Sequence, residues 1–147
     1  MTLDAAPRGT QHAPLGLTVA DAMVRAPKVR PGTTTVAQAR ADLLDDHVHA
    51  VLVVRDSVLV SVVESADLTS APPDALAAPA GRLGGRTVPP GTDLESVWRD
   101  LTVRRRRRVA VVDDRGRLLG LLCLKRSGRG FCTDDGVRAR AAERGSS

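Results

Sequence analysis

The chain has 147 residues, a length that suits one ordinary domain or two small units sharing a core. An apolar fraction of 42% excludes a wholly disordered chain, and an aromatic content of 1% leaves almost no platforms for stacking single-stranded bases. The net charge of +5 is lopsided, −2 over residues 1–70 and +7 over residues 71–147, and apart from Lys28 and Lys125 every basic residue is arginine.

Residues 1–16 mix Pro, Gly, Thr and Gln without periodicity and read as a flexible arm. Thr18, Val19, Ala20 and Asp21 fit a capping box that opens a short helix running to about Val24, with Pro27 as its stop. An extended segment at Lys28, Val29 and Arg30 follows, then a turn at Pro31, Gly32 and Thr33. Val36, Ala39, Leu43 and Leu44 fall on one helical face. Residues 51–54 and 58–63 are β-branched apolar runs joined by Asp56 and Ser57, which predicts a hairpin. Runs such as 51–54, apolar at every position, predict strands buried on both faces. A short helix is expected at 65–69.

Residues 71–82 form a Pro- and Ala-rich linker with one helical turn at 75–78. The order then starts again. Arg86, Thr87 and Val88 are extended, Pro90, Gly91, Thr92 and Asp93 turn and cap, and Leu94, Val97 and Leu101 share a helical face. Five consecutive arginines at 104–108 precede a strand at 109–112. The turn at 113–116 leads to a strand at 118–122 and a weak helix at 124–127. A loop and a terminal helix, capped by Thr133, Asp134 and Asp135, are expected over 128–147. The chain is thus an internal repeat with a period of about 58 residues.

Taken in this order and twice, these pieces resemble the cystathionine β-synthase (CBS) domain, which occurs as a tandem pair. The specific segments are Val19-Ala20-Asp21-Ala22-Met23, Pro31-Gly32-Thr33-Thr34, the run from His47 to Val54, and Ala66-Asp67-Leu68. The likeness covers residues 18–127. It implies an α+β fold of two tandem β-α-β-β-α repeats packed as a CBS-domain pair, residues 17–70 forming the first and 83–127 the second. Such pairs sense adenosine compounds and regulate an attached or partner protein. The remaining segments are too short for a catalytic domain, so the resemblance implies a stand-alone regulatory module.

The family's ligand signature follows the last strand of each unit. It is a Gly, two apolar residues, Thr or Ser, two variable residues, and an Asp that receives the ribose hydroxyls. Residues 61–67 keep Asp67 but place Ser61 for the Gly and Glu64 for the Thr. Residues 120–126 keep Gly120 but place Cys123 and Arg126 for the Thr and Asp. The resemblance therefore implies ribose and adenine contacts from Asp67, Ala66, Val63, Val29 and Ala50. It implies phosphate contacts from Arg105, Arg107, His49 and Arg126. Arg105 and Arg107 match His47 and His49 in the first copy, and arginine's planar fork suits phosphate. Ionised Glu64 would repel a phosphate beside it.

The remaining residues give plainer readings. The 104–108 run also reads as a solvated charged stretch, and GC-rich coding alone gives an arginine bias. His47 and His49 lack a third ligand at metal-site spacing, so no metal is expected. Cys123 and Cys132 make neither a disulfide framework nor a metal quartet; they could form a redox pair, but a buried strand-end thiol is the plainer reading. Trp98 reads as packing or a dimer contact. There is no nucleophile–base arrangement, P-loop or dinucleotide fingerprint, so no enzyme activity is expected and no cofactor is required. The ligands expected are AMP, ADP, ATP or S-adenosylmethionine. The partners expected are a second copy of the chain and a regulated protein. Nucleic-acid binding rests on charge alone, and no apolar run approaches the ~18 residues of a membrane span. Without a signal peptide pattern, a cytoplasmic protein is the default. The competing reading is a degenerate CBS pair that serves as a dimerisation or protein-interaction module without a small-molecule ligand.

Overall fold

The computed structural model describes residues 16–45, 48–125 and 130–132. His47, Arg126 and the expected terminal helix lie outside the described residues. The elements are α1 (Val19–Ala22), β1 (Val29–Pro31), α2 (Val36–Leu43), β2 (Val51–Arg55), β3 (Val58–Val63), β4 (Thr87–Val88), α3 (Leu94–Arg104), β5 (Arg108–Val112) and β6 (Leu118–Cys123). Two 3₁₀ turns, Ser65–Leu68 and Ala78–Ala80, follow β3. The α+β class and the doubled unit are as the sequence predicts.

Each copy builds a three-stranded sheet in which the first strand pairs parallel to the second and the second antiparallel to the third. Val51, Leu52 and Val53 are all buried, as are Val109, Ala110 and Val111, so these central strands are covered on both faces. Asp56 and Ser57 both take positive φ, 52° and 70°, which matches the twist of a two-residue hairpin. The hairpin tips dock on one another, with Leu59 N–H bonded to the Gly116 carbonyl and Leu118 N–H to that of Ser57. Leu52, Leu59, Val62 and Ala110 form the layer between the two sheets.

The helices are capped as their sequences dictate. Thr35 and Gln38 close a capping box on α2, and the Asp93 carboxylate accepts from Ser96 N–H at 2.9 Å on α3. α3 ends where Arg105 adopts a left-handed conformation, φ 58°, and Arg106 N–H reaches back to the Leu101 carbonyl. That ending fixes the direction of the arginine run.

The two halves exchange their opening segments. Val19 N–H donates to Thr92 O at 2.9 Å, and Val19 is wholly buried with Leu94, Leu122 and Leu124 in the second-half core. The equivalent Ala77 N–H donates to Thr34 O at 2.9 Å and lies in the first-half core with Val36, Val53 and Val63. Residues 71–82 therefore connect the copies and also complete the first core. The expected helical turn in this stretch falls at Ala78–Ala80. The helix expected at 124–127 is not begun by Leu124, which is extended and bridges to Phe131. Its N–H bonds Arg107 O, so the β5–β6 ladder continues past the strand end.

At each exchange, an incoming segment crosses the edge of a sheet with room for one side chain. A Cβ on Gly81 would lie 2.6 Å from Val62 O and 2.8 Å from Val63 Cγ2. In the second half the glycine is on the strand instead. A Cβ on Gly120 would lie 2.6 Å from Val24 O and 2.7 Å from Met23 Sδ. Ser61 with Gly81 thus does the work of Gly120 with Met23. No helix among the described residues is long and apolar enough to cross a membrane.

Candidate functional site

The doubled fold places two clefts between the copies, and the predicted residues divide between them. His49 and Arg107 are 58 residues apart, one repeat period, and meet where the clefts join. An Arg107 Nη2 lies 2.6 Å from His49 Nε2. A guanidinium has no lone pair to give, so His49 accepts there and carries its proton on Nδ1.

The first cleft holds Asp67. The 3₁₀ turn Ser65–Leu68 presents its carboxylate, and Oδ2 accepts from Glu64 N–H at 2.7 Å. The same carboxylate is gripped by Arg86, with Nη1 to Oδ2 at 2.6 Å and Nη2 to Oδ1 at 3.2 Å. Arg86 Nη1 also donates to Val62 O at 2.7 Å, and Nη2 is 3.4 Å from a Glu64 oxygen. The other Glu64 oxygen bonds Arg106. Arg86 comes from the strand entry of the second copy and is only 4% exposed. Two carboxylates of the first copy are therefore matched by two guanidiniums of the second.

Burial works to raise the Asp67 carboxyl, but the Arg86 bond and the Glu64 N–H outweigh it and hold the group below the ordinary carboxylate range. The Asp67 bond raises Arg86 in turn. Glu64 was expected to repel phosphate; its charge is spent instead on the two arginines.

The second cleft is lined by Lys28, Arg30, Asp42, His49, Ala50 and Arg108, with an apolar wall of Val24, Leu52, Leu121 and Cys123 among others. Its cavity is about 100 Å³. Arg30 grips Asp42 through Nε and Nη2 at 2.7 and 2.6 Å. That bond holds Asp42 below its ordinary range, although burial opposes it. Lys28 and Arg108 are the other two cationic residues of its lining.

Of the sequence candidates, Ala66 is exposed beside Glu64 and His49. The Val63 side chain is wholly buried in the first-half core. Val29 is 44% exposed on β1, between the cleft residues Lys28 and Arg30. Ala50 and His49 lie in the second cleft, and His49 borders the surface depressions of the first as well. Arg105 and Arg107 line a depression with Glu64 and His49. The strand begins at Arg108, so Arg106 is the residue that meets Glu64. Sequence reasoning missed Arg86, Arg106 and Lys28. Arg86 was legible only as one charged residue opening an otherwise apolar strand, opposite a carboxylate on the other copy.

Cys123 and Cys132 are joined by a disulfide, with Cα atoms 5.3 Å apart. The free strand-end thiol expected for Cys123 is thus replaced by a bond. The reason is the Leu124–Phe131 bridge, which places the two cysteines opposite each other.

Residues 86–126 match the family model of the CBS domain. No curated protein matches the chain in sequence. Among solved structures, CBSX2 in complex with AMP superposes with a TM-score of 0.62 at 27% identity, covering 88% of this chain and 99% of that one. The CBS domains of a transcriptional regulator from Streptococcus pneumoniae give 0.61 at 20% identity, over 74% and 93%. The CBS domain of a bacterial CNNM/CorC family Mg²⁺ transporter in complex with ATP gives 0.56 at 23% identity, over 74% and 82%.

Proposed function

We propose, from the premise that this chain is a CBS-domain protein folded as a CBS pair, that it is a regulatory module taking one adenosine-type nucleotide in the cleft of Lys28, His49, Ala50 and Arg108. The observation that carries this reading is the contrast between the clefts. The Asp67 cleft is filled by the chain's own Arg86, whereas the other has an apolar wall and cations facing inward. The similar CBSX2, which was solved with AMP, supports the ligand class.

The mechanism follows from size. A cavity of about 100 Å³ is smaller than the ~300 Å³ at which ligand pockets begin. A nucleotide enters by pressing the two copies apart on this side. The Arg86–Asp67 tie holds them together on the other, so occupancy becomes a change of angle between the copies. A partner protein, or a second copy of the chain, reads that angle. Leu44 and Val103, 84% and 81% exposed, are apolar side chains that such a contact would cover.

Calorimetric titration with AMP, ADP, ATP and S-adenosylmethionine tests the reading. One site per chain is expected for at least one of them, weakened in Lys28→Gln. No heat and no thermal shift with any of the four would overturn it. One observation favours the second reading, an interaction module without ligand: Arg86 already occupies the Asp67 carboxylate. That reading expects a dimer by light scattering and silence in every titration.

A further inference from the structure

Cys123 is both half of a disulfide and part of the wall of the second cleft. Its cross-strand partner is Arg108, which lines the same cleft, as does Lys28. Cys123 is 2% exposed, whereas Cys132 is half-buried and so open to attack. The disulfide is continuous with the strand ladder: Cys132 N–H bonds Cys123 O at 2.6 Å, and Leu124 N–H bonds Arg107 O at 2.7 Å.

We propose that Cys123 and Cys132 form a reversible dithiol–disulfide couple that sets the affinity of the adjoining cleft for an anionic ligand. The proposal rests on the nucleotide reading for the ligand, but the couple itself is testable without it.

The chemistry is thiol–disulfide exchange with a small dithiol. A thiolate of the reductant attacks Cys132 Sγ. The Sγ–Sγ bond breaks, and its electron pair leaves on Cys123 Sγ. The second thiol of the reductant then displaces Cys132, so the protein gains two electrons and one proton, carried on Cys132, the other proton of the reductant passes to solvent, and the reductant becomes a disulfide. Arg108 and Lys28, which line the same cleft, favour the thiolate of the departing Cys123 sulfur. In the reduced protein that sulfur carries negative charge in the cleft and takes up cations an anionic ligand needs. The disulfide form therefore binds anions more tightly. By linkage, a bound anion favours the disulfide by the same factor.

The test uses the full chain in a series of dithiothreitol redox buffers. N-ethylmaleimide traps free thiols, and mass spectrometry counts them. A smooth passage from two adducts to none is expected. Saturating AMP should move the midpoint toward the disulfide by about fivefold or more, and calorimetry should give the same ratio of affinities for the two forms. Two adducts in every buffer would overturn the proposal. So would an unmoved midpoint when calorimetry shows AMP bound. If AMP does not bind, the nucleotide reading falls, and Lys28→Gln decides this one. Removing that cation should move the midpoint toward the disulfide by about twofold, and an unmoved midpoint would overturn the proposal.

Discussion

The two clefts are made from equivalent parts, and they differ in which copy supplies the charge. In the first, Asp67 and Glu64 of one copy face Arg86 and Arg106 of the other, and the charges cancel inside the protein. In the second, Arg30 and Asp42 cancel within one copy, and Lys28 and Arg108 line the cavity. A buried pair across the copies acts as a fixed tie. A pair within one copy leaves the junction open. Equivalent positions of the two copies thus give an internal ion-pair network on one side and a cleft with a cavity on the other.

The largest way to break this contrast is Arg86→Ala. It leaves Asp67 charged and half-buried with no guanidinium, and should lower stability by about 3 kcal/mol, read by urea denaturation. Methylguanidinium should restore part of that loss, because it returns the missing group to a hole of its own shape. Loss without any rescue would mean that Arg86 acts through packing rather than through its bond to Asp67.

The next largest effect tests the exchange of side chains at the crossings. Gly120→Ala drives a Cβ against the Val24 carbonyl and should cost about 2 kcal/mol. Gly81→Ala should cost a similar amount in the other half, against Val62 O. Met23→Ala should rescue Gly120→Ala only in part, since it clears the Met23 side chain but leaves the Val24 carbonyl in the way.

A smaller part of the same contrast is readable by pH. The folded Asp67 carboxyl lies below its unfolded value of about 3.9, so its contribution is complete above that value and is lost as pH falls through the folded one. Wild type should lose stability below about pH 4, and Asp67→Asn should show a shallower loss over the same range. Equal slopes in urea midpoints at pH 5, 4 and 3 would deny Asp67 this role. Asp42, held down by Arg30, supplies a second slope that Asp67→Asn leaves intact.

The smallest effect is on the open side. Lys28 is exposed, so Lys28→Gln should weaken AMP binding by about fivefold or less, with the difference shrinking as salt is raised. A matching loss from Arg86→Ala would place the ligand in the wrong cleft.

Much of the fold was legible because each copy repeats one order of local signals. Proline–glycine turns, Thr35 and Asp93 as caps, and apolar runs in the central strands all point the same way in both copies. The site was less legible because its key contacts join residues far apart in the chain. Asp67 could be found from the order of residues around it, but Arg86 lies 19 residues on and becomes its partner only after the copies face each other. Ser61 looks like a lost glycine until Gly81 is seen to supply the missing space. Arg106 was not legible as the partner of Glu64, because the left-handed turn at Arg105 and the strand start at Arg108 together set which arginine reaches it.

The exchange of opening segments also orders events during synthesis. Once residue 82 has emerged, the first half has all the pieces of its core, Ala77 included. Val19 has no such place: its neighbours Leu94, Leu122 and Leu124 are all made after residue 82. The segment around Val19 is thus made before the first-half core yet docks after it, across a loop that spans the whole first half, and contacts of such high order are the slow ones. Until then the growing chain exposes Val19 and Val24, a brief apolar handle for whatever waits outside the ribosome.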